Sequence, residues 1–271
     1  MRPIGPRTQL CGVVLHPAGH TRSPAMHNAA FAALGIDAVY LAFDVAPSVL
    51  AAAVAGARAL GVRQLAVSIP HKEAMLPLCD EVDATARRIG AVNTATLREG
   101  RLVGTNTDWI GVVRAIERHT AIQGREAVVL GAGGAARAAV FGLLERGARV
   151  RILNRTRARA ERLAEELGAA SSGTLDELAQ HRFDLLVNTT SVGLRQDASP
   201  VQAQAIPAGC VVLDAVYDPA NTRLLRDAAA LGAEPIEGKW WLVHQAAEQV
   251  RTWTGAAAPV DVMADAFDRA T

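Results

Sequence analysis

An apolar run at 128–130 continues without a break into the sequence GAGGAA at 131–136. This segment has the pattern G-x-G-x-x-A, between a predicted strand and a predicted helix. The first glycine allows a tight turn, the second lets the backbone approach a diphosphate, and the last small residue lets helix and strand pack closely. A glycine-rich turn without a ligand is the alternative, but the strand and helix favour a dinucleotide-binding turn. Its candidate cofactor-binding residues are Gly131, Ala132, Gly133, Gly134, Ala135 and Ala136.

The same alternation of strand and helix extends along the whole chain. Short runs rich in valine, leucine and isoleucine alternate with longer alanine-, leucine- and arginine-rich segments at helical spacing. This pattern is typical of parallel sheets covered by helices, so we predict an α/β protein. The predicted strands are 10–15, 39–43, 64–69, 92–97, 127–130, 149–153, 183–188 and 211–215.

The 271 residues are enough for two domains. No internal repeat or long linker marks a boundary, so the best candidate is the turn Asn106-Thr107-Asp108. A helix is predicted at 111–119, a new strand–helix–strand unit opens at 127, and the segment after 238 again has a helical pattern.

Composition excludes several other classes of protein. The net charge of +1 gives no reason to expect nucleic acid as a partner. Three distant cysteines indicate neither a zinc site nor a disulfide framework, and seven histidines without ligand spacing indicate no metal. No apolar run reaches about 18 residues, so we expect no membrane contact and a cytoplasmic location.

The strand after the glycine-rich turn ends in a basic segment. Asn154-Arg155-Thr156-Arg157 stands where an NAD enzyme has an acidic residue for the ribose 2′-hydroxyl, and Arg159 follows. Arginines at a helix start oppose the helix dipole and fit a phosphate well. An exposed basic helix is the alternative, but the pattern favours NADP over NAD, held by Asn154, Arg155, Thr156 and Arg159.

Two residues at predicted turns are candidates for acid–base chemistry. Lys72 follows Pro70, which is predicted to begin a helix, and Asp108 stands at the predicted domain boundary. A hydrogen-bonded lysine and aspartate can accept the hydroxyl proton during hydride transfer from a secondary alcohol. From spacing alone, a surface lysine and a capping aspartate are the commoner alternative.

Polar residues elsewhere are candidates for binding a carboxylated substrate. Ser23 is predicted to cap a helix that ends at Gly35, and with Thr21 it offers two hydroxyls to a carboxylate. Asn93 offers an amide to substrate hydroxyls, and Gln245 lies in an apolar helix where it needs a partner if it faces inward. Each is also compatible with a purely structural role.

Taken in order, these segments resemble the shikimate dehydrogenase family, including its quinate/shikimate branch, over nearly the whole chain. The matching segments are TRSP at 21–24, SIPHK at 68–72, GAVNT at 90–94, NTD at 106–108, GAGGAA at 131–136, NRT at 154–156, NTTS at 188–191 and QAA at 245–247.

The resemblance implies a substrate-binding catalytic domain at 1–108, against which helices from 239–271 pack, and a Rossmann-type NADP domain at 109–238, with a cleft between them. It implies reversible NADPH-dependent reduction of 3-dehydroshikimate to shikimate, in aromatic amino acid biosynthesis, by a monomer or homodimer. Lys72 and Asp108 become the catalytic pair, and Thr189 and Gly238 join the NADP site. The implied substrate-binding residues are Thr21, Ser23, Ser68, Asn93, Thr107, Tyr217 and Gln245.

Two departures from the family pattern bear on specificity. Thr21 replaces the first serine of the usual Ser-x-Ser pair, which adds a methyl group beside the carboxylate and leaves a quinate or analogue dehydrogenase as an alternative. Lys239-Trp240-Trp241 replaces a small residue and a methionine, and these indoles either alter the cofactor pocket or pack in the core. An NADP-binding regulatory protein without activity is a third alternative, which retention of Lys72 and Asp108 disfavours.

Overall fold

The computed structural model describes residues 4–270. The chain forms two compact units, the first made of Met1–Thr107 with Gln245–Thr271 and the second of Asp108–His244. Within the described part, no helix is both long and apolar enough to cross a bilayer.

The strands form two six-stranded sheets. In chain order the strands are β1 (Gln9–Leu15), β2 (Ala38–Asp44), β3 (Gln64–Val67), β4 (Glu81–Val82), β5 (Thr94–Arg98), β6 (Arg101–Thr105), β7 (Glu126–Leu130), β8 (Arg149–Leu153), β9 (Ser171–Gly173), β10 (Leu185–Asn188), β11 (Val211–Asp214) and β12 (Glu234–Ile236).

Helices connect most of these strands. The α-helices are α1 (Ser23–Leu34), α2 (Leu50–Ala59), α3 (Ala84–Ile89), α4 (Asp108–Glu117), α5 (Gly134–Glu145), α6 (Arg157–Leu167), α7 (Arg223–Ala230), α8 (Gly238–Thr254) and α9 (Val260–Arg269). Short 3₁₀ helices lie at Pro47–Val49, Leu76–Leu78, Leu175–Gln180 and Ala203–Ala205.

The first unit has a mixed sheet with the strand order β2-β1-β3-β5-β6-β4. β1 pairs in parallel with β2 and β3, whereas β5 runs antiparallel to both β3 and β6. The β5–β6 hairpin turns at Glu99 and Gly100, whose φ angles of 49° and 77° suit a tight turn that matches strand twist. Arg22 of this unit reaches α9, where its guanidinium lies 4.6 Å from the Phe267 ring centroid.

The second unit has a parallel sheet with the order β12-β11-β10-β7-β8-β9. In its register Leu186 lies between Val128 and Val212, while the next residue, Val187, faces the opposite side. The two sets belong to separate apolar clusters, one on each face of the sheet. Burial on both faces explains why these strands are continuous apolar runs rather than alternating ones.

The predicted α/β class is confirmed, with a doubly wound parallel sheet in the second unit. The sequence missed the edge strands β4, β9 and β12, because segments of two or three residues such as SSG and EPI carry too few apolar side chains to show a period. The five-residue strand β6 was missed as well. The predicted strand at 64–69 ends at Val67, so its last two residues lie in the following turn.

Two predicted helix starts are wrong in detail. The helix predicted at Pro70 is absent, because turns at 69–75 lead into a short 3₁₀ helix whose Pro77 lacks the N–H that a longer helix needs. Ser23 is the first residue of α1 rather than its cap, because Arg22 occupies the cap position and its O accepts a hydrogen bond from Met26 N at 3.3 Å. The predicted end of α1 is confirmed, with Gly35 in the left-handed conformation at φ 70°.

Candidate active site

A buried asparagine joins two other predicted substrate-binding residues in the first unit. Asn93 lies just before β5 and is 2% exposed. Its Nδ2 donates to Thr107 Oγ1 at 3.0 Å and to Gln245 Oε1 at 3.1 Å, while its Oδ1 accepts from Thr107 N at 2.7 Å. The structure therefore brings together residues separated by up to 152 positions in the chain.

Lys72 is held beside this cluster by its main chain. Val92 N, one residue before Asn93, donates to Lys72 O at 2.8 Å. The preceding turn is closed by a 2.8 Å hydrogen bond from His71 N to Ser68 O, and the His71 ring is anchored by a 2.7 Å bond between Nε2 and Val45 O. Lys72 is thus fixed by a hydrogen-bonded turn rather than by the helix predicted from Pro70.

Thr21 and Ser23 form a hydroxyl pair at the start of α1. Thr21 Oγ1 donates to Ser23 Oγ at 3.2 Å, and Ser23 is buried whereas Thr21 is half-buried. Both hydroxyls stand at the N-terminal end of α1, where the positive end of the helix dipole attracts a carboxylate. The prediction that they lie together agrees with this geometry, and their role in binding substrate stays a prediction.

Gly131 makes the turn after β7 in the second unit. Its φ is 114°, and a Cβ there would fall against Thr189 Oγ1, well inside van der Waals contact. Thr189 Oγ1 in turn donates to Leu130 O at 2.7 Å, and Gly131 N donates to Leu153 O at 2.8 Å. Gly131 and Thr189, two residues assigned to the nucleotide site, thus meet where β7 and β10 end.

Gly133 has a different environment from Gly131. It caps α5 with no side-chain cap, and a Cβ at this position would meet no other atom of the described chain within 4 Å. Packing within the protein therefore does not require glycine here. Because Gly133 has no side chain, a diphosphate can approach the backbone at this helix N-terminus closely.

The basic segment after β8 places its arginines at the start of α6. Arg155, Thr156 and Arg159 are exposed, and the first turn of this helix contains no acidic residue. Asn154 is half-buried and its Nδ2 donates to Thr156 O at 3.0 Å. Arg157 forms an ion pair with Glu177, whereas the described residues provide no ion-pair partner for Arg155 or Arg159.

The sequence-based prediction missed a buried carboxylate at the end of β11. Asp214 accepts hydrogen bonds from Asn188 Nδ2 at 2.8 Å and Thr222 Oγ1 at 2.7 Å, and from Val216 N at 3.0 Å. Burial raises the pKa of Asp214 to about 6, while these three donors oppose the shift. Tyr217, an implied substrate-binding residue, lies three positions after Asp214 and is half-buried.

The sequence does contain a signal for the hydrogen-bonded pair of Asn188 and Asp214. The apolar strands β10 and β11 each end in one polar residue, Asn188 and Asp214, and these two pair in the sheet register. Polar side chains at the carboxyl ends of neighbouring parallel strands lie at the edge where α/β proteins bind ligands.

Gly238 and the two tryptophans that follow it begin α8. A Cβ at Gly238 would lie 2.6 Å from Asp214 O, so this glycine is required by a close approach to the backbone after β11. Trp241 is 5% exposed and belongs to a core cluster of the second unit. Trp240 stacks under the Arg118 guanidinium, 3.8 Å from its ring centroid. Core packing is therefore the use that the structure shows for Trp241.

Comparison with known proteins identifies the family. Residues 13–95 match the family model of the shikimate dehydrogenase substrate binding domain, 114–194 that of shikimate / quinate 5-dehydrogenase, and 242–266 that of the shikimate 5'-dehydrogenase C-terminal domain. A shikimate dehydrogenase (NADP(+)) from Natronomonas pharaonis is 49% identical over 258 residues, which make up 94% of this chain and 97% of the relative. The chain belongs to the shikimate dehydrogenase family.

Other members of the shikimate dehydrogenase family agree over similar lengths. A shikimate dehydrogenase (NADP(+)) from Methanothermobacter thermautotrophicus is 46% identical over 97% of both chains. A crystal structure of shikimate 5-dehydrogenase from Thermus thermophilus, in complex with NADP(H) and shikimate, superposes with a TM-score of 0.91 at 40% identity, covering 97% of this chain and all of that one. The predicted resemblance is thereby confirmed, whereas the roles of individual residues stay predictions.

Proposed function

We propose that this protein is an NADP-dependent oxidoreductase that reversibly reduces 3-dehydroshikimate to shikimate in aromatic amino acid biosynthesis. The observation that carries the proposal is the buried Asn93 cluster, which presents Thr107 and Gln245 next to the Lys72 turn. Such amide and hydroxyl groups suit a small ligand that carries several hydroxyls. Relatives named shikimate dehydrogenase (NADP(+)) match both units, which supports the same assignment.

The second unit fits NADP as the cofactor. The bare backbone at Gly133 and the α5 N-terminus suit the diphosphate, and Gly131, Thr189 and Gly238 shape the strand ends around it. Arg155 and Arg159 are exposed at a helix start that lacks an acidic residue, so they suit the ribose 2′-phosphate. The predicted division is a substrate domain at 1–108 with 239–271 and an NADP domain at 109–238, whereas the compact units assign Asp108 and 239–244, including the core residue Trp241, to the second unit.

In the proposed mechanism, Lys72 and Asp108 handle the proton of the reacting oxygen. NADPH, when bound, supplies the hydride that reduces the ketone. Lys72 Nζ gives the proton that the new alkoxide requires, and takes the hydroxyl proton in the reverse direction. Asp108 follows Thr107 directly, so its main chain is fixed by the bond from Thr107 N to Asn93 Oδ1. Its carboxylate holds the lysine and the hydroxyl in place.

The carboxylate end of the substrate is assigned to Thr21 and Ser23, and its hydroxyls to Ser68, Asn93, Thr107, Tyr217 and Gln245. Because hydroxyl and amide groups are neutral, the carboxylate would rely on the positive end of the α1 dipole as well as on these side chains. This arrangement gives binding without a dedicated arginine.

Steady-state kinetics with two substrates and two cofactors test the proposal. We expect kcat/KM to be highest for shikimate with NADP, and Lys72→Ala to lower kcat by roughly 10²- to 10⁴-fold, the usual contribution of a general acid–base. Unchanged turnover in Lys72→Ala would contradict the mechanism. Binding of NADP without any turnover by the wild-type protein would instead favour a regulatory role.

The cofactor assignment has its own matched control. Arg159→Gln is expected to raise the KM for NADP at least tenfold and to leave the KM for NAD within twofold, because only NADP carries the 2′-phosphate. Arg162→Gln changes an equally exposed arginine on the same helix beyond its first turn and should alter neither constant. A wild-type preference for NAD would overturn the assignment.

Quinate is the second candidate substrate, and Thr21 is the observation that favours testing it. Its extra methyl group stands at the hydroxyl pair that is assigned to the carboxylate. At the carbon that bears the carboxylate, quinate has a saturated centre with a hydroxyl where shikimate has a ring double bond, so this methyl lies where the two substrates differ. A higher kcat/KM for quinate than for shikimate would establish the alternative.

Location and assembly complete the proposal. Cys11 and Cys210 are buried free thiols and Cys79 is half-buried, which suits a reducing cytoplasm. We propose a monomer or homodimer, which light scattering after gel filtration distinguishes from larger assemblies.

A further inference from the structure

Two stacked rings of the first unit bury polar atoms without partners. His27 of α1 lies parallel to Tyr40 of β2, with ring centroids 4.0 Å apart and an angle of 5° between the planes. Both side chains are 1% exposed. Among residues 4–270, neither ring nitrogen of His27 nor the Tyr40 hydroxyl has a partner at hydrogen-bond distance. Such buried polar atoms are costly and call for a reason.

The neighbouring glutamine on α8 leads from these rings to the Asn93 cluster. Gln249 is 1% exposed, and its Nε2 donates to Asn93 O at 3.2 Å and to Thr94 Oγ1 at 3.0 Å. Gln245, one helical turn earlier, accepts from the Asn93 side chain. Asn93 is therefore held twice from the same helix face, by its side chain and by its main chain.

The hydrogen bonds to Asn93 O and Thr94 Oγ1 fix the orientation of the Gln249 amide. Its Nε2 must face Asn93, because a carbonyl oxygen turned there would meet the acceptor Asn93 O and the Thr94 hydroxyl, which already donates to Asn93 Oδ1 at 2.7 Å. The amide oxygen then faces away and has no partner among the described residues. Burial lowers the pKa of His27 to about 3, and Gln249 opposes this shift as a hydrogen-bonding neighbour. The ring is thus neutral, with one N–H to donate toward that oxygen.

We propose that His27 is a positioning residue: its ring N–H holds Gln249 Oε1, so that Gln249 Nε2 faces and fixes the main chain of Asn93. One helical turn further along each helix, Phe31 of α1 meets Trp253 of α8 with ring centroids 5.4 Å apart, so the two helices pack together beside this pair. The kinetic consequence rests on the proposed function, in which Asn93 binds the substrate hydroxyls. Tyr40 supplies only the flat surface on which the His27 ring lies.

A double-mutant cycle tests the coupling through kinetics. His27→Phe keeps a ring on Tyr40 and removes the N–H, and Gln249→Met keeps the length of the side chain and removes the amide. Each should raise the KM for shikimate about five- to tenfold, with kcat and the KM for NADP within twofold. The double variant should be no worse than Gln249→Met alone, because His27 acts only through Gln249. Tyr40→Phe, which removes a hydroxyl without a partner among the described residues, should change none of these constants.

Amide hydrogen exchange gives a second readout that does not depend on activity. Thr107 N donates to Asn93 Oδ1, so loss of the Gln249 contact should speed exchange at Thr107 at least tenfold in both single variants and not in Tyr40→Phe. His27→Gln, which keeps an N–H donor, should restore the slow exchange. The exchange measurement requires folded protein but no enzymatic activity.

The outcomes separate the two proposals. Additive effects in the double variant, or unchanged KM and unchanged exchange in His27→Phe, would overturn the positioning role. A wild-type protein that does not turn over shikimate would overturn the proposed function alone, and the exchange rates would still decide the role of His27.

Discussion

The two units build their candidate sites in different ways. In the second unit, the nucleotide region depends on bare backbone at Gly131 and Gly133 and on a helix N-terminus, all within one continuous segment. In the first unit, the substrate region depends on side chains such as Asn93, Thr107 and Gln245, which come from distant parts of the chain. At Gly131 the protein itself leaves no room for a side chain, whereas the side-chain site depends on the partners that hold Asn93, Thr107 and Gln245 together.

The two units also differ in the buried titratable group that each contains. Asp214 of the second unit has three donors to its carboxylate, yet burial raises its pKa to about 6. His27 of the first unit has no partner at hydrogen-bond distance among the described residues, and burial lowers its pKa to about 3. Both groups are favoured in their neutral forms by the fold, but one is an acid and the other a base. Their effects on stability therefore have opposite signs with pH.

The largest effect should come from one methyl group in the second unit. Gly131→Ala forces a Cβ against Thr189 Oγ1 and imposes a side chain at φ 114°. Overpacking costs about 1–3 kcal/mol and the strained backbone about 1–2, so we expect the free energy of unfolding to fall by about 3–4 kcal/mol. Urea unfolding followed by circular dichroism measures it.

Gly168→Ala is the matched control for this change. Gly168 also has a positive φ, of 76°, but a Cβ there would meet no other atom of residues 4–270 within 4 Å. Only the backbone cost of about 1–2 kcal/mol should remain. Equal losses in the two variants would show that the contact with Thr189 does not constrain the turn.

The second effect is acid sensitivity of the first unit. The unfolded chain binds a proton at His27 below its ordinary pKa of 6.5, whereas the folded chain does so only near 3, so stability is lost as pH falls through this window. Between pH 6.5 and 4 the loss from this group is about 3 kcal/mol. His27→Phe should remove that part of the pH dependence in urea unfolding. A slope unchanged from wild type would contradict the buried neutral histidine.

The sequence predicted the two units with unequal success, for physical reasons. The turn at 131–136 was readable because its requirements fall on adjacent residues, and the neighbouring strands were readable because they are buried on both faces. The proposed pairing of His27 with Gln249 was missed because it depends on how α1 and α8 pack against each other, which no local period encodes. The absent helix at Pro70 shows the same limit, since Pro77 and long-range bonds such as Val92 N to Lys72 O determine that segment.

The third effect is the opposite pH dependence in the second unit. The folded state keeps Asp214 protonated up to about pH 6, whereas the unfolded chain releases that proton near 3.8, so stability is lost as pH rises between these values. The loss is roughly 2–3 kcal/mol. Asp214→Asn keeps an oxygen for Asn188 Nδ2 and Val216 N, so relative to wild type it should gain stability between pH 4 and 7. Asp197→Asn, an exposed acid, should give no such gain.

The smallest effect should come from Thr21, where the side-chain site of the first unit is least constrained. Thr21→Ser keeps the hydroxyl that bonds Ser23 and removes one methyl group, which is worth about 0.8 kcal/mol when buried. The added room suits the extra hydroxyl of quinate, so kcat/KM for quinate should rise about three- to fourfold relative to that for shikimate. Thr8→Ser makes the same change at a hydroxyl that donates to Asp37 and should leave the ratio unchanged. A ratio that does not move in Thr21→Ser, measured with NADP at saturation, would place substrate choice at residues other than the hydroxyl pair.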